Sequence, residues 1–226
     1  MQYLTSKKGS QMSDAFSTAV FLTLSGGFQD AYTYFCRDGV FANAQTGNIV
    51  FMSSYFMKGD FAHALRYLLP LFAFVAGIFT AEGFRRKFKY LALIHWRQLV
   101  LFTEILILFF VGFIPDSHNI LANCLVSFVC AMQVQSFRKL DGYTYASTMC
   151  IGNLRSGTDA IAHFLHSRDH KYLERAASYF SIIFLFAIGA GTGSVMASIL
   201  SIRAIWLSCL FLTFSLCLMF IREEKN

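Results

Sequence analysis

The chain has 226 residues, of which 56% are hydrophobic and 14% are charged, and its formal net charge is +6. Roughly a quarter of the residues of a soluble domain are charged, so this composition excludes a disordered chain, a coiled coil and a secreted disulfide scaffold. At about 20 residues per span, the length suits six membrane helices in a single membrane domain over residues 1–226. The basic excess then belongs to cytoplasmic loops, and we expect no nucleic-acid partner.

Eight apolar stretches predict the helices in chain order. The second stretch is short and polar, the sixth carries Arg155 and Asp159, and Pro70 in the third predicts a kink. The stretches run from Ala15 to Cys36, Phe41 to Met57, Ala64 to Phe84, Leu91 to Ile114, Asn119 to Phe137, Thr144 to Leu165, Leu173 to Ser198 and Ile202 to Ile221.

The eight stretches form two sets of four that resemble each other. A shift of 105 residues brings matching features together: Gly47-Asn48 falls on Gly152-Asn153, Asp30 on Gln135 and, with a small gap, Phe74-x-x-Gly77 on Phe186-x-x-Gly189. Agreement in motif, spacing and order predicts an internal duplication. Repeat one covers about residues 15–114 and repeat two about residues 119–221.

The distribution of positive charge predicts which stretches cross the membrane. If all eight crossed, nine Lys and Arg residues would lie on each side. If the second and sixth stretches enter and return on the same side, fifteen lie on the side of the N-terminus and four on the other. Cytoplasmic loops carry the excess of Lys and Arg. We therefore expect an all-α membrane protein with six transmembrane helices plus two re-entrant or broken segments, and both termini in the cytoplasm. Three spans per repeat is an odd number, so the two repeats have inverted topology.

Two polar motifs open the re-entrant segments, and we interpret them as the substrate site. Non-helical backbone is tolerated at membrane depth only where protein or water satisfies its polar groups. These side chains either contact a solute across a central polar cavity or tie the broken backbone to its neighbours. The candidate substrate-binding residues are Asp30, Asn43, Gln45, Thr46, Gly47, Asn48, Gln135, Thr148, Gly152 and Asn153.

The motifs resemble those of the YoaK family of small bacterial membrane proteins of unknown function. That family has G-x-x-D-A followed by F-x-x-x-x-T-G-N, which here reads Gly27-Phe28-Gln29-Asp30-Ala31 and then Phe41 to Asn48. Its second half has A-M-G-x-Q-N-A and T-T-x-x-T-G-T/N-L. The corresponding segments here are Ala131 to Ser136 and Ser147 to Leu154, and they depart from the pattern at Gln133, Ser136, Ser147 and Ile151. The resemblance implies an integral protein of the bacterial inner membrane and supplies no substrate.

Four charged residues inside the stretches are candidates for coupling or gating. Asp30 is either a proton or cation site or a hydrogen-bonded cap for the adjacent broken segment. Glu104 lies on the same helical face as Arg97, and the pair forms a proton relay or a substrate clamp, or else Glu104 is a structural link to another helix. Arg155 and Asp159 are four residues apart, so they form a gate, a contact for an anionic substrate, or a neutralised link at the cytoplasmic side.

A secondary transporter or permease of a small solute is the function that these features favour. A channel-like pore and a non-transporting membrane scaffold are the alternatives. We expect no enzyme, because the chain has no Ser–His dyad and no H-E-x-x-H motif. We also expect no cofactor and no metal. The expected partners are the lipid bilayer, a small-molecule or ion substrate, and a second copy in a homodimer that uses the small-residue faces near Gly77 and Gly189.

Overall fold

The computed structural model describes residues 16–89, 95–140, 143–145 and 147–223. Within them the chain is helical apart from turns and one pair of two-residue strands. The helices are α1 (Phe16–Cys36), α2 (Gln45–Met57), α3 (Phe61–Phe88), α4 (Trp96–Val111), α5 (Asn119–Ser136), α6 (Cys150–Ser167), α7 (His170–Leu200) and α8 (Ile205–Glu223), and the antiparallel strands are β1 (Lys139–Leu140) and β2 (Tyr143–Thr144).

The helical fold is as predicted, and the largest difference in a described helix boundary is at the start of the sixth stretch. Helix α6 begins at Cys150 rather than at Thr144, because Tyr143–Thr144 pairs with Lys139–Leu140 as a small hairpin.

Three helical stretches of the described chain are long and apolar enough to cross a membrane. They are Phe61–Phe88, Asp116–Ser136 and His170–Phe220, and they indicate a membrane protein. The sequence predicted six membrane spans, whereas three helical stretches of the described chain meet this criterion of length and composition. Two of the predicted spans, α7 and α8, fall together in the third stretch. Helix α4 has 16 described residues, and α1 carries Gln29 and Asp30 among its apolar residues.

Helices α1 and α5 form the centre of the molecule. Every residue of α1 from Ser25 to Thr33 is buried, and so is every residue of α5 from Val129 to Gln133. Helices α3 and α7 instead expose large apolar side chains, including Phe79 and Phe184. Large apolar side chains therefore lie on the outside of this fold as well as in its core, and polar side chains such as Gln29 and Asp30 are buried, as suits a protein that is surrounded by lipid.

The contacts of the first four helices match those of the last four. The first helix of each half packs mainly against helices of the other half. Helix α1 packs against α7 and α8, and α5 packs correspondingly against α3 and α4. Helix α2 packs along α3 as α6 packs along α7, and α4 contacts α8. The main contacts of the first four helices are thus repeated by the second four, with the longest helix of each half packed against the other half.

Two glycines permit the closest of these contacts. A Cβ atom at Gly77 would collide with the backbone carbonyl of Phe128 on α5. At Gly189 it would collide with the carbonyl of Leu24 on α1. Both small-residue faces are therefore buried within one chain, and a homodimer would need a different surface from the one predicted.

The two short helices join the long helices through equivalent turns. Helix α2 is followed by Gly59, at φ +74°, and α6 by Arg168, at φ 57°. The next residue is an Asp that caps the long helix: Asp60 accepts from the His63 amide and Asp169 from the Lys171 amide, each at 3.1 Å. Side-chain hydrogen bonds to His63 and to Lys171 hold the pKa of Asp60 and of Asp169 below the ordinary value.

Charged residues mark the two ends of the helix bundle. At one end, called the Arg37 end, the Arg37 guanidinium is fully buried and donates to Tyr32 Oη, Asn119 Oδ1 and the Val111 carbonyl at 2.9–3.1 Å. Asp116 lies 3.8 Å from the same guanidinium. The opposite end, called the Arg85 end, is marked by one pocket lined by Glu82, Arg85, Trp96, Arg97, Gln135 and Arg138, among others.

Candidate functional site

A pocket of about 840 Å³ lies where both short helices begin, and we call it the central pocket. Helices α1, α2, α3, α6 and α7 all contribute side chains. The lining is mainly aromatic and aliphatic, and none of its residues is Lys, Arg or His. Its polar lining residues are Asp30, Asn43, Gln45, Thr46 and Thr148, and aromatic residues include Tyr34, Phe41, Phe74 and Phe186.

Asp30 connects α1 to the start of α2. Its Oδ1 atom accepts a hydrogen bond of 2.7 Å from the Asn43 amide, and the amides of Ala42 and Ala44 also act on the carboxyl. Asn43 Nδ2 donates in turn to the Gly26 carbonyl at 3.3 Å. Ala44 provides no side-chain cap for α2, and the carboxylate of Asp30 instead accepts from an amide of the turn that leads into this helix.

The first G-N motif holds the turn before α2 in place. Asn48 Oδ1 accepts from the Phe41 amide at 3.0 Å, while Asn48 Nδ2 donates to the Phe41 carbonyl at 2.7 Å and to Gln45 Oε1 at 2.9 Å. Gly47 lies against the Phe41 ring. Asn48 is therefore directed to its own segment, whereas Gln45 and Thr46 line the central pocket.

The second motif brings the start of α6 to the same pocket. The pocket lining includes Thr148, Met149, Cys150, Ile151 and Gly152. Thr148 packs so closely on Gly26 of α1 that a Cβ atom at Gly26 would collide with its methyl group. Asn43 and Thr148 correspond under the shift of 105 residues.

Both of these repeat-related side chains keep a polar atom without a partner. Asn43 is 6% exposed and Thr148 is 7% exposed, and neither Asn43 Oδ1 nor Thr148 Oγ1 has a hydrogen-bond partner within the described residues. A buried polar atom without a partner is costly. Two such atoms belong to residues that line this one pocket, where a ligand with polar groups could satisfy them.

A second pocket of about 420 Å³ adjoins the central one towards the Arg85 end. Gln135 and Asn153 line it, together with Arg138. Phe74 and Met149 line both pockets, as does Gly152. The sequence predicted that Asp30 and Gln135 would face each other across one cavity, but they line two neighbouring pockets instead.

Glu104 belongs to a separate polar cluster behind the central pocket. It is fully buried, and its Oε1 atom accepts from Gln29 Nε2 at 3.2 Å. The same Gln29 nitrogen donates to Ser208 Oγ at 3.1 Å, and Cys130 Sγ donates to Gln29 Oε1. Arg97 lies at the Arg85 end, because seven residues of helix separate it from Glu104 by roughly 10 Å. Of the alternatives for Glu104, the structure therefore shows the link to another helix, through Gln29 on α1, and no pair with Arg97.

Arg155 and Asp159 lie away from both pockets on the exposed face of α6. Asp159 Oδ2 is 3.8 Å from His163 Nε2, and the side chains of both residues are more than half exposed. The structure therefore brings this pair together with solvent-side groups rather than with Asp30.

The sequence alone did not identify two buried residues, Gln29 and Arg37, as site or core residues. Gln29 was not singled out beside Asp30, although an amide in the middle of an apolar span is itself a signal of polar contacts. Arg37 was counted only as a loop charge, yet it is among the largest fully buried side chains of the described chain.

The chain belongs to the DUF1275 family of proteins of unknown function, whose family model matches residues 18–218. The motif resemblance implied an uncharacterised family, and the match confirms that statement. No curated protein and no solved structure matches the chain.

Proposed function

We propose that this DUF1275 protein is a secondary transporter of a small solute in the bacterial inner membrane, with the central pocket as its substrate site. The single observation that carries the proposal is the meeting of two helix starts, one from each repeat, at a buried carboxylate. Transporters with inverted repeats bind substrate where such interrupted helices meet near the bilayer midplane.

Six crossing helices and two re-entrant ones fit the positions of the helix ends. Asp38 follows α1 and Arg66 lies near the start of α3, and their charged groups are 4.0 Å apart. The intervening α2 therefore leaves the Arg37 end and returns to it. Its 13 residues extend roughly 20 Å, less than the ~30 Å hydrocarbon core of a bilayer.

The second half supports the same arrangement in the opposite direction. Helix α5 ends at the Arg85 end, where Gln135 and Ser136 line the pocket with Arg85. Helix α7 ends near the Arg37 end, since Tyr32 Oη donates to the Ile202 carbonyl just beyond it. Helix α7 therefore begins at the Arg85 end, and α6 leaves and returns to that end. The two halves would thus have inverted topology.

The charge distribution orients the protein. In this arrangement fifteen Lys and Arg residues belong to the side of the Arg85 end and four to the side of the Arg37 end. The positive-inside rule then places the Arg85 end and both termini in the cytoplasm.

A carrier explains the two pockets better than a channel does. The central pocket and the second pocket share Phe74, Met149 and Gly152 as a common boundary. A layer of side chains between two pockets is what alternating access requires, whereas a channel needs a continuous path.

Exchange in proteoliposomes tests this proposal. Vesicles loaded with one of a panel of unlabelled solutes (carboxylates, amines, amino acids and sugars) would receive the labelled solute outside, and a carrier would accelerate its uptake by exchange. Thr46→Trp, at an exposed position that lines the pocket, should abolish exchange, whereas Ser54→Trp on the same helix should not. Flux without acceleration by internal solute would indicate a channel, and no flux with any solute class would indicate a scaffold.

A further inference from the structure

We propose that the substrate of the central pocket is a small monocarboxylate with an apolar body, and that it binds together with one proton on Asp30. This inference rests on the transporter proposed above and specifies the chemistry of its site. It follows from the charges at the pocket, the polar atoms without partners and the nature of the walls.

The start of α6 is the position for the carboxylate. A helix start presents backbone amides and a partial positive charge of roughly half a unit. Met149 gives α6 no side-chain cap, and the pocket is lined by the first residues of the helix. The Thr148 hydroxyl, buried and without a partner, adds a donor at the same place.

The two helix starts differ in how their charge is balanced. The start of α2 is matched by Asp30, which accepts from the Asn43 amide. The repeat counterpart of Asp30 is Gln135, which carries no charge and lines the second pocket. The start of α6 therefore has no carboxylate of its own, and a substrate carboxylate would complete the pattern that α2 already has.

A cation fits the same pocket poorly. The Asn43 amide, in the turn before α2, already donates to Asp30, and an ammonium group beside it would face the positive ends of two helices. An anion faces one obstacle, namely the charge of Asp30 in the same pocket. A proton on Asp30 removes that repulsion.

The protonated form also has a hydrogen-bond acceptor ready. The amide of Asn43 donates to Asp30 Oδ1 at 2.7 Å, and the Oδ1 atom of the same residue has no partner among the described residues. A protonated carboxyl group donates one hydrogen bond, so Asp30 in this form would satisfy that atom.

Few other titratable groups face Asp30. Cys150 on α6 and Cys130 on α5 interact with it electrostatically. Tyr34 on α1 shares the pocket, and Glu104 on α4 reaches the region through Gln29. The residues that α2, α3 and α7 contribute to the pocket do not titrate. Glu104 is therefore the principal competing proton site.

The aromatic walls of the central pocket favour an apolar body for the rest of the substrate. Tyr34, Phe41, Phe74 and Phe186 surround the polar end with aromatic surface. A volume of about 840 Å³ lies within the usual range for small-molecule pockets. Among the described residues that line the pocket, no Lys, Arg or His is present to hold a second negative group, so a monoanion is favoured over a dianion.

Calorimetry on the full chain in nanodiscs tests the proposal with benzoate as the probe and with benzamide and benzylamine as its neutral and cationic counterparts. Benzoate should bind, the other two should not, and its affinity should fall about tenfold per pH unit where one proton is taken up with each anion. Buffers of different ionisation enthalpy would count that proton. Butyrate and laurate, compared in the same way, separate a carboxylate that arrives from water from one that arrives from the bilayer.

Three variants identify the groups. Asp30→Asn, which keeps an acceptor for the Asn43 amide, should bind benzoate without proton uptake and without pH dependence. Thr148→Val should weaken benzoate binding by about tenfold and keep the proton. Glu174→Gln, at an exposed site on α7, should behave as the unchanged protein.

Several results would overturn the inference. They are preference for benzylamine or benzamide, absence of benzoate binding at low pH, and loss of proton uptake in Glu104→Gln but not in Asp30→Asn. Coupled benzoate binding without exchange in vesicles would leave the anion site standing and remove the transporter. Exchange of amines or sugars, without exchange of carboxylates, would support the transporter and remove the anion site.

Discussion

Asp38 Oδ2 lies 4.0 Å from Arg66 Nη1, although the whole of α2 separates these two residues along the chain. The contact brings the end of α1 and the first turns of α3 to one end of the bundle. It therefore predicts on which side of the membrane each residue is accessible.

In a cysteine-free background, Asp38→Cys and Lys58→Cys should both react with a membrane-impermeant maleimide added to intact cells. Lys87→Cys, at the Arg85 end of α3, should react only after the cells are opened. Labelling of just one of the first two positions would restore a crossing α2 and eight spans.

The glycine contacts predict which substitutions destabilise the fold. Gly77→Ala and Gly189→Ala should each lower the free energy of unfolding by about 1–3 kcal/mol, because the added methyl group meets a backbone carbonyl that cannot move aside. Gly83→Ala and Gly191→Ala, with nothing within 4 Å of the new atom, should be neutral or stabilise the helix by up to about 1 kcal/mol. Thermal unfolding in detergent, followed by circular dichroism, measures all four. Equal effects in both pairs would contradict the close packing.

Arg37 should be required for stability rather than for transport. Arg37→Ala removes hydrogen bonds from a charged donor to Asn119, Tyr32 and the Val111 carbonyl, each worth about 1.5–3 kcal/mol. Arg37→Lys should recover little, because one ammonium group does not reproduce the planar fork of donors. The exposed Arg203 provides the control, and its replacement by Ala should leave the melting temperature unchanged. A stable Arg37→Ala protein would show that these bonds contribute little.

The equivalent turns after α2 and α6 predict opposite effects of substitution. Arg168→Gly should stabilise the protein by about 1 kcal/mol, because a residue with a Cβ atom is strained at φ 57° and glycine is not. Gly59→Ala should destabilise by a similar amount at φ +74°. Comparison of the melting temperatures of the two variants gives the signs, and a destabilised Arg168→Gly would mean that the side chain makes a contact which outweighs the strain.

Helix positions were predictable from the sequence because lipid-facing helices must be apolar over a defined length. The ends of α2 at Met57 and of α1 at Cys36 are as the apolar stretches predicted. The contacts that polar side chains make inside the bundle were harder to predict. Asn48 satisfies the turn at Phe41, and its repeat counterpart Asn153 lines the second pocket, although both occupy the same place in a G-N motif. The difference arises from neighbouring elements that a local motif does not contain.

Contacts between residues that are far apart in the sequence were also difficult to predict. Glu104 and Arg97 share a helical face, and one sequence suggests that they pair. The partner of Glu104 is instead Gln29, 75 residues away, because α1 passes beside α4 at that depth. Periodicity determines which residues face inwards, but only the packing of the helices determines what they meet.

The exchange of partners between the two halves has a consequence for how the chain is made. Helix α1 packs mainly against α7 and α8, which leave the ribosome well over a hundred residues later. Until then Gln29 lacks Ser208, and the side of α1 that receives Gly189 is uncovered. The first half would therefore enter a bilayer as an incomplete bundle, and α1 gains its main contacts only once α7 and α8 have been made.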